Sequence, residues 1–537
     1  MANTFKKVID RQMWVQVAPT PNATAAATCF CSDLRSDNSR NPFVYQLTSA
    51  AILNRFNIVS KSWSFVQSPA LAGTFGAGAA MVFAPSQGLN GVIAAGATTT
   101  SIVVSTAFPT AVGLNMLANR GGSGEYGFKI RIIGKASGKV EERYIVGNTA
   151  GTTPTITLNA PLTFTPAIND DYEILSGRVF MLSAGTMAAN AWRSFEVAAN
   201  TLSTGLSIVG LPASVGTDTS LLALDEQYTP YDCRPGEGMI KGTFLYDTNQ
   251  NDRYALAATA AGASSITGQA TGGDAVVKAN EYRNFQIRIV QDTVNPTAVG
   301  QRNIIASHTA GASPVYTMGV AWAVTPSSSA KYVIELPNLI LGRSTATTTV
   351  YTWNYNNTTV NNGTNSIAPN AWSTTYFAAA PAANASGGMW APSYGIQPDP
   401  ARNARQSFCY FFRGVSQNLD VLDIAGAING AWSGAIVYDG GVNLTIGTCG
   451  CYAPFSNEGR MFYMNIYVAS AANQIYRFDV QNRVLAPFTA TDNIQAGTAA
   501  LGQRMTAYAA LDGTDTYDVV LLNSHLSTIA QELVVLV

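Results

Sequence analysis

One stretch of this sequence occurs twice, and that repetition constrains the fold more than any other feature. Three landmarks recur in the same order: a strand-like hexapeptide, a Thr-Ala-Gly triplet, and a proline followed 18 residues later by a tyrosine. They lie at residues 128–133 and 285–290, at 149–151 and 309–311, and at Pro154 with Tyr172 and Pro314 with Tyr332. One module is therefore present as two copies in one polypeptide. Because an active site rarely needs two copies, the repeat favours a surface or assembly scaffold.

The low charge of the chain limits the classes of function that it supports. Only 12% of the residues are charged, whereas globular domains average about 25%. Thr, Ser, Asn, Gln, Gly and Ala must then cover the surface, and such a neutral surface suits packing against other subunits. The 31 basic and 32 acidic residues give a net charge of −1, which argues against nucleic-acid recognition.

Targeting and crosslinking signals are weak. The lysines near the N-terminus are not followed by an apolar segment, so we expect no secretory signal. No run approaches 18 apolar residues, so we expect no membrane span. Six cysteines in a chain of 537 residues do not make a disulfide framework.

The hydrophobic pattern predicts an all-β chain. Apolar and polar residues mostly alternate in short runs, and 47 glycines and 23 prolines separate these runs. Residues 350–355 and 475–480 are typical of half-buried strands. A short helix is expected only near residues 47–55. The segment 141–143, Glu-Glu-Arg, is interpreted as a solvated strand end.

A motif outside the two copies predicts a β-propeller. An apolar strand, a turn and then a tryptophan recur, with arginine replacing tryptophan in the last instance. After the two copies are subtracted, the successive spacings are about 45, 100, 60 and 50 residues, and a four-stranded blade takes about 40–50. The motif positions are Trp63, Trp192, Trp372, Trp432 and Arg483. We interpret the long interval as two blades, which predicts a propeller of about seven blades. A string of separate β-sandwiches is the alternative.

The two copies are then insertions, either β-sandwich or barrel-like, in loops between blade strands. Such loops tolerate long insertions because the entropy of loop closure grows slowly with length. Five regions follow, comprising an N-terminal segment with the first blades, the first inserted module, further blades, the second inserted module, and the last blades with ring closure. They span residues 1–91, 92–175, 176–256, 257–335 and 336–537.

Candidate chemical groups are few. A Ser-His-Asp or Cys-His site would need His308 or His525, and the first copy has no histidine matching His308. We interpret both as surface or loop histidines. Carboxylates cluster at 170–171 and at 512–515; the second cluster lacks calcium-binding spacing and is typical of a turn between strands. We therefore expect no catalytic or cofactor-binding residues and no cofactor.

The sequence contains two Cys-x-Cys pairs. In a strand, residues i and i+2 face the same side, so each pair could present two sulfurs together. Four thiolates would suit zinc if the pairs met, but Cys-x-Cys spacing is poor for structural zinc. The pairs are Cys29 with Cys31 and Cys449 with Cys451. Buried thiols in strands are the favoured interpretation, so no metal ligand is assigned.

Exposed aromatic residues would suggest sugar binding. Tyr351, Trp353 and Tyr355 alternate along one predicted strand and could stack on sugar rings if they faced solvent. Packing between blades is the favoured interpretation of such a strand.

Several segments resemble virion structural proteins of tailed bacteriophages. They are residues 71–79, 94–96, 143–151 and 172–174, and the resemblance covers parts of residues 50–345. In plan, a propeller carrying inserted β-domains is similar to the nozzle proteins of short-tailed phages, which form a ring at the tail. The family offers no catalytic motif to transfer to this chain.

The function expected from sequence and resemblance together is structural. We expect a non-enzymatic component of a tailed-phage virion, assembled in the host cytoplasm. It would be tail-associated, as a nozzle or a tube- or sheath-like ring, and its partners would be its own copies and other virion proteins. One alternative is a capsid decoration protein, and a second is a module that binds host-surface carbohydrate. A depolymerase would need paired carboxylates, and the sequence shows no convincing pair.

Overall fold

The chain is described here from a computed structural model, which is all-β apart from one short 3₁₀ helix among the described residues. The described residues are 14–16, 18, 29–35, 41–48, 51–66, 75, 78–109, 112–118, 127–216, 218–228, 256–269, 278–392, 408–438, 443–444, 448–453, 461–466, 474–479, 482–487, 505–509, 519–524 and 530–535. The strands predicted at 350–355 and 475–480 are confirmed as Tyr351–Asn354 and Gln474–Asp479. The helix expected near 47–55 is not borne out by the described residues there, because Leu47 ends one strand and Leu53–Asn57 forms the next.

Six four-stranded antiparallel sheets form the blades of a propeller. Strands are numbered in chain order, and each blade is given from its inner to its outer strand. Blade 1 is β2 (Cys29–Ser32), β3 (Phe43–Leu47), β4 (Leu53–Asn57) and β5 (Ser62–Phe65); blade 2 is β6 (Ala80–Ala84), β13 (Arg178–Leu182), β14 (Trp192–Glu196) and β15 (Thr201–Leu202); blade 3 is β16 (Thr219–Leu224), β23 (Leu339–Ser344), β24 (Tyr351–Asn354) and β27 (Ala371–Ser373). Blade 4 is β28 (Met389–Pro392), β29 (Phe408–Phe412), β30 (Asn418–Asp423) and β31 (Ala431–Val437); blade 5 is β32 (Cys449–Ala453), β33 (Met461–Ile466), β34 (Gln474–Asp479) and β35 (Val484–Pro487); blade 6 is β36 (Met505–Ala509), β37 (Val519–Ser524), β38 (Ala530–Val535) and β1 (Trp14–Gln16).

The ring closes in two ways. The inner strands contact one another in an unbroken cycle, in the order β2, β6, β16, β28, β32, β36 and back to β2. The N-terminal strand β1 is the outer strand of the last blade, where it pairs with β38. Joining the two ends of the chain in one sheet protects strand edges that would otherwise be free.

The described residues thus form six blades, where the spacing of the motif predicted about seven. The difference arises between Trp192 and Trp372, which belong to neighbouring blades. Trp192 lies on the third strand of blade 2, whereas Trp372 lies on the outer strand of blade 3. A two-stranded hairpin, β25 (Val360–Asn361) with β26 (Ser366–Ile367), adds further length within blade 3. The long interval is therefore one blade step.

The two repeated modules are six-stranded antiparallel barrels with the same strand order. Barrel 1 closes in the order β7-β12-β9-β10-β11-β8, with an isolated bridge from Ile93 to Val104 completing the circle. Barrel 2 closes in the order β17-β22-β19-β20-β21-β18. The strands of barrel 1 are β7 (Asn90–Val92), β8 (Ser101–Val103), β9 (Lys129–Gly134), β10 (Lys139–Asn148), β11 (Thr155–Leu158) and β12 (Asp171–Ile174). Those of barrel 2 are β17 (Leu256–Gly262), β18 (Ser265–Gly268), β19 (Gln286–Gln291), β20 (Arg302–His308), β21 (Val315–Met318) and β22 (Lys331–Glu335), with the 3₁₀ turn η1 (Pro296–Ala298) before β20.

Both barrels leave the propeller at equivalent points. Barrel 1 is inserted between the first and second strands of blade 2, and barrel 2 between the first and second strands of blade 3. Their strands span 90–174 and 256–335, against the expected limits of 92–175 and 257–335. Insertion into the same loop of neighbouring blades places the two barrels side by side on one face of the propeller.

Candidate functional site

The two barrels meet along a joint between β10 and β19. Lys139 of barrel 1 pairs with Gln291 of barrel 2, so the barrel strands form one continuous sheet. The N–H of Asp292 donates to the carbonyl of Gly138 at 2.7 Å. Gly138 has φ +68°, and a β-carbon there would lie 2.1 Å from the Asp292 carbonyl oxygen. Only glycine allows the barrels to approach so closely at this point.

A cluster of eight charged side chains lies beside this joint, and we call it the junction. Barrel 1 contributes two cations and two anions, barrel 2 contributes two cations and one anion, and the segment after β16 contributes the last anion. The members are Lys129, Arg131, Glu142, Glu173, Arg288, Arg302, Glu335 and Glu226. Four positive and four negative charges balance, which is the condition for burying so many ions together.

Glu226 is the anion that connects the parts of the junction. One of its carboxylate oxygens accepts hydrogen bonds from Arg131 of barrel 1 and from Nη2 of Arg302 of barrel 2, the latter at 3.0 Å. The other accepts from Nε of Arg302 at 2.8 Å, from Gln286 at 3.0 Å and from Asn338 at 3.2 Å. The Glu226 side chain is fully buried. A single carboxylate from the propeller therefore binds both barrels.

The remaining ion pairs continue across the interface. Glu173 of barrel 1 accepts from Arg131 of its own barrel at 2.9 Å and from Arg302 of barrel 2 at 3.0 Å. Glu142 lies 2.7 Å from Arg131, and Glu335 pairs with Arg288 inside barrel 2. Charge-assisted bonds of this kind are the strong ones in proteins, and here they fix orientation as well as proximity.

The pKa values of the junction carboxyls follow from the balance between burial and neighbouring guanidinium groups. Burial opposes ionisation of Glu226, but Arg302 and Arg131 outweigh it and hold the Glu226 pKa well below its usual range. The Glu142 pKa is likewise lowered, since Arg131 and Lys129 outweigh its burial. At Glu335 burial prevails over Arg288 and raises the pKa. Glu226 is thus the most firmly ionised of these three carboxyls.

Asp225, next to Glu226, binds the segment through which the chain leaves blade 2 and enters barrel 1. Its carboxylate accepts from the Ser86 hydroxyl at 2.8 Å and from the Tyr355 hydroxyl at 2.8 Å. Ser86 follows β6 on the way to barrel 1. The pair Asp225–Glu226 therefore anchors blade 2, blade 3 and both barrels together.

Asp218, just before β16, provides a pH-dependent prediction. Its carboxyl accepts a hydrogen bond from the Gly387 N–H at 2.7 Å, and burial raises its pKa from 3.8 to about 6. The folded protein thus binds this proton more tightly than the unfolded chain, so stability falls as pH rises from about 4 through about 6. Asp218→Asn keeps the acceptor without the charge. We expect the variant to be more stable than wild type at pH 8, by about 2–3 kcal/mol, and equal to it near pH 4. Thermal midpoints measured across this pH range test the prediction, and an advantage independent of pH would contradict it.

His308 has a structural role in barrel 2 and is not at the surface. Because the Tyr282 N–H donates to its Nε2 at 2.9 Å, the ring proton lies on Nδ1, which donates to the Thr309 carbonyl at 2.9 Å. In barrel 1 Asn148 holds the same position: its amide accepts from the Leu117 N–H at 2.9 Å and donates to the Thr149 carbonyl at 3.0 Å. The interpretation of His308 as a surface or loop histidine is therefore wrong.

This equivalence predicts which substitutions His308 tolerates. His308→Asn places the residue of barrel 1 in barrel 2 and should cost less than about 1 kcal/mol. His308→Leu leaves the buried Tyr282 N–H without its acceptor and should cost about 1–3 kcal/mol more. Thermal midpoints of the two variants provide the comparison. Equal losses of stability in the two variants would show that the His308 side chain fills space and that its hydrogen bonds contribute nothing.

The cysteine pairs lie on inner strands of different blades. Cys29 and Cys31 are on β2, Cys449 and Cys451 are on β32, and blade 6 separates the two strands. All four are buried, as the favoured interpretation predicted. Burial raises the pKa of Cys29, Cys31 and Cys451, so these thiols are protonated and poor nucleophiles. Among the described residues, no three His, Cys, Asp or Glu side chains are grouped as a metal site.

The other candidate residues have structural surroundings. Tyr351, Trp353 and Tyr355 are buried, so they are not an exposed platform for sugars. Asp170 is buried, and its carboxylate accepts hydrogen bonds from the backbone N–H groups of Ala136 and Ala167. His525 and the carboxylates at 512–515 lie outside the described residues.

The propeller axis holds a cavity of about 80 Å³. Each blade contributes mostly apolar side chains from its inner strand, among them Phe30, Met81, Leu222, Trp390, Tyr452 and Met505. This volume accommodates a few water molecules at most. Within the part of the chain that is described, no helix combines the length and hydropathy needed to cross a bilayer.

Known proteins resemble this chain only weakly. No protein-family model matches the sequence, and neither does any curated protein. Among solved structures, a chain of the mitotic checkpoint complex is similar at a TM-score of 0.31 and 9% identity, over 98% of this chain and 94% of that one. Saccharomyces cerevisiae Sqt1 is similar at 0.29 and 10% identity, over 97% and 99% of the two chains. The C-terminal WD40 domain of Sif2 gives 0.29 and 10% over 98% of both.

These similarities concern architecture alone, and their scores are too low to carry an argument about function. The chain is an all-β propeller because its own strand pairing closes a ring of four-stranded sheets. The junction and the surfaces of the barrels are the features of this chain that bear on its function.

Proposed function

We propose that this chain is a structural component of a tailed-bacteriophage virion, located at the tail, that acts through contacts between subunits without catalysis. The junction is the observation that supports the proposal most directly. Glu226, Arg131 and Arg302 join the two barrels and the propeller through largely buried, hydrogen-bonded ion pairs. A part that transmits load within a particle needs this rigidity, whereas many enzymes use mobile lids or domains.

One pair of carboxylates in the junction supports a non-enzymatic role. Glu173 and Glu226 both bind Arg131 and Arg302 at the centre of the junction. Glycoside hydrolysis needs two carboxyl groups that a substrate and a water molecule can reach. The Glu226 side chain is fully buried, so the pair has a structural use.

Weak surface charge also favours assembly. The chain carries 12% charged residues, and eight of them lie inside the junction. The remaining surface pays little desolvation when it packs against another subunit. Self-assembly in closed rings is the usual outcome for such subunits.

The test is to locate the chain in the particle. Virions of a tailed phage that encodes it would be purified and imaged by cryo-electron microscopy. We expect six-bladed propellers, each with two adjacent barrels, repeated around the tail axis. The same density on the capsid lattice would support the decoration alternative instead. Purified particles without this density would overturn the proposal.

A further inference from the structure

Barrel 1 carries an exposed apolar surface at one end, formed by Leu114, Met116 and Val146 and here called the barrel-1 patch. The three side chains are 68%, 42% and 45% exposed. Leu114 and Met116 flank Asn115, whose N–H donates to the Asn148 carbonyl at 2.9 Å. Val146 lies two residues earlier on the same strand, in a bulge where β10 shifts register against β11. The three residues therefore lie at the same end of the barrel.

Barrel 2 shows what this surface accepts. Its β20 has the same bulge, at Ala306, and the hairpin β25–β26 of blade 3 packs there. A β-carbon at Gly363, in the turn of that hairpin, would lie 3.1 Å from the Ala306 β-carbon. The duplicated position in barrel 2 thus holds the uncharged turn of a β-hairpin.

Two substitutions change the contact that barrel 1 can make. Barrel 2 has Gly319 where barrel 1 has Asn159, and a β-carbon at Gly319 would lie 1.7 Å from the Asn361 carbonyl oxygen. A hairpin backbone therefore cannot approach barrel 1 as closely at that point. In place of Ala306, barrel 1 offers the larger Val146. The barrel-1 patch fits a hairpin whose turn presents an apolar side chain.

This chain displays such a turn on blade 4. Val415, between β29 and β30, is 58% exposed. It has φ +53°, a conformation that is costly for a β-branched residue. Gly414, Ser416 and Gln417 beside it carry no charge. A strained, exposed valine at a turn is a feature expected of a contact site.

We propose that the Val415 turn of one copy docks on the barrel-1 patch of the next. The two surfaces are different parts of the chain, so the contact is heterologous and generates a ring when the rotation closes. This inference rests on the proposed assembly function and names the contact that performs it. Apolar burial of four side chains supplies its free energy.

The test uses the full-length chain and sedimentation velocity. Val146→Lys and Val415→Lys each place a charge in the contact and should weaken association at least about tenfold. Ile168→Lys is the matched control, since Ile168 is 60% exposed elsewhere on barrel 1, and it should leave association unchanged. The double variant Val146→Lys with Val415→Glu should restore association through the new ion pair. Unchanged thermal midpoints would show that each variant folds.

The possible results separate the two proposals. A monomeric wild-type chain would overturn both the contact and self-assembly. Assembly that resists both single lysine substitutions would overturn the contact while leaving the assembly function standing. If Val146→Lys weakened association and Val415→Lys did not, the Val415 turn would not be the segment that binds the barrel-1 patch. Recovery in the double variant is the result that only direct contact between the two positions predicts.

Discussion

Glu226→Gln is expected to destabilise the junction by about 3–5 kcal/mol, the usual cost of removing one partner from a buried ionic network. Arg131 and Arg302 would keep their charges in a dry site with one anion fewer. Because a chain with several subdomains does not unfold in one step, the effect should be measured locally. Hydrogen exchange of the amides in β9 and β19 reports the free energy of opening on either side of the joint.

The control and the pH dependence sharpen this test. Lys135→Met breaks a half-exposed pair with Asp171 on the same barrel and should cost no more than about 1 kcal/mol. The lowered Glu226 pKa means that its contribution is present above the unfolded pKa and is lost as pH falls through the folded pKa. The penalty of Glu226→Gln should therefore shrink in acid. Equal exchange in wild type and Glu226→Gln at neutral pH would show that Glu226 does not hold the barrels.

The strands and the repeat could be predicted because their causes are local. The patterns at 350–355 and 475–480 correctly indicate strands. The half-buried expectation is wrong for 350–355, where every residue is buried. The repeated landmarks 128–133 and 285–290 became β9 and β19, which hold the same place in two barrels. Equal spacing between equivalent strands implies equal strand order, so the duplication carried topological information. No single strand pattern would have revealed closure into a barrel.

The predicted number of blades depended on the assumption that the motif tryptophan lies on the same strand of every blade. The motif identifies a tryptophan but does not say which strand carries it. Trp372 and Trp432 lie on outer strands, whereas Trp192 lies on the third strand of blade 2. Trp192 instead packs across the blade interface, with its ring centroid 4.9 Å from that of Trp372. Sequence spacing cannot distinguish a tryptophan between blades from one at a blade edge.

The junction escaped the sequence because it is made by contact between distant segments. Glu141, Glu142 and Arg143 were expected at a solvated strand end, and all three are buried. That expectation is wrong because Glu142 belongs to the junction, whereas Glu141 and Arg143 bind each other and residues 161–163 of their own barrel. One sequence feature could have pointed to the junction. The charge is reversed at equivalent positions of the two copies, since Glu142 of barrel 1 corresponds to Arg302 of barrel 2. Opposite charges at equivalent positions are what two faces need in order to pair.

His308 shows the same limit at a single residue. Asn148 and His308 both immediately precede the repeated Thr-Ala-Gly triplet, so their positions match although their chemistry differs. Each accepts one backbone N–H and donates to the carbonyl of the following residue, and Asn148 also donates to the Gly113 carbonyl. Comparing residue identities hides this equivalence, whereas comparing hydrogen-bonding capacity at matched positions would have found it.

Gly138→Ala should open the joint between the barrels, with a loss of about 3 kcal/mol or more. A left-handed φ costs alanine about 1–2 kcal/mol, and the new β-carbon would also displace the Asp292 carbonyl, 2.1 Å away. Gly151→Ala is the matched control: Gly151 has φ +115°, but nothing lies within 4 Å of an added β-carbon. The increase in hydrogen exchange should therefore extend to both β9 and β19 in Gly138→Ala. In Gly151→Ala it should be confined to one turn of barrel 1. If the two variants altered the same amides to the same extent, backbone strain alone would explain the effect, and close approach of the barrels would not be needed.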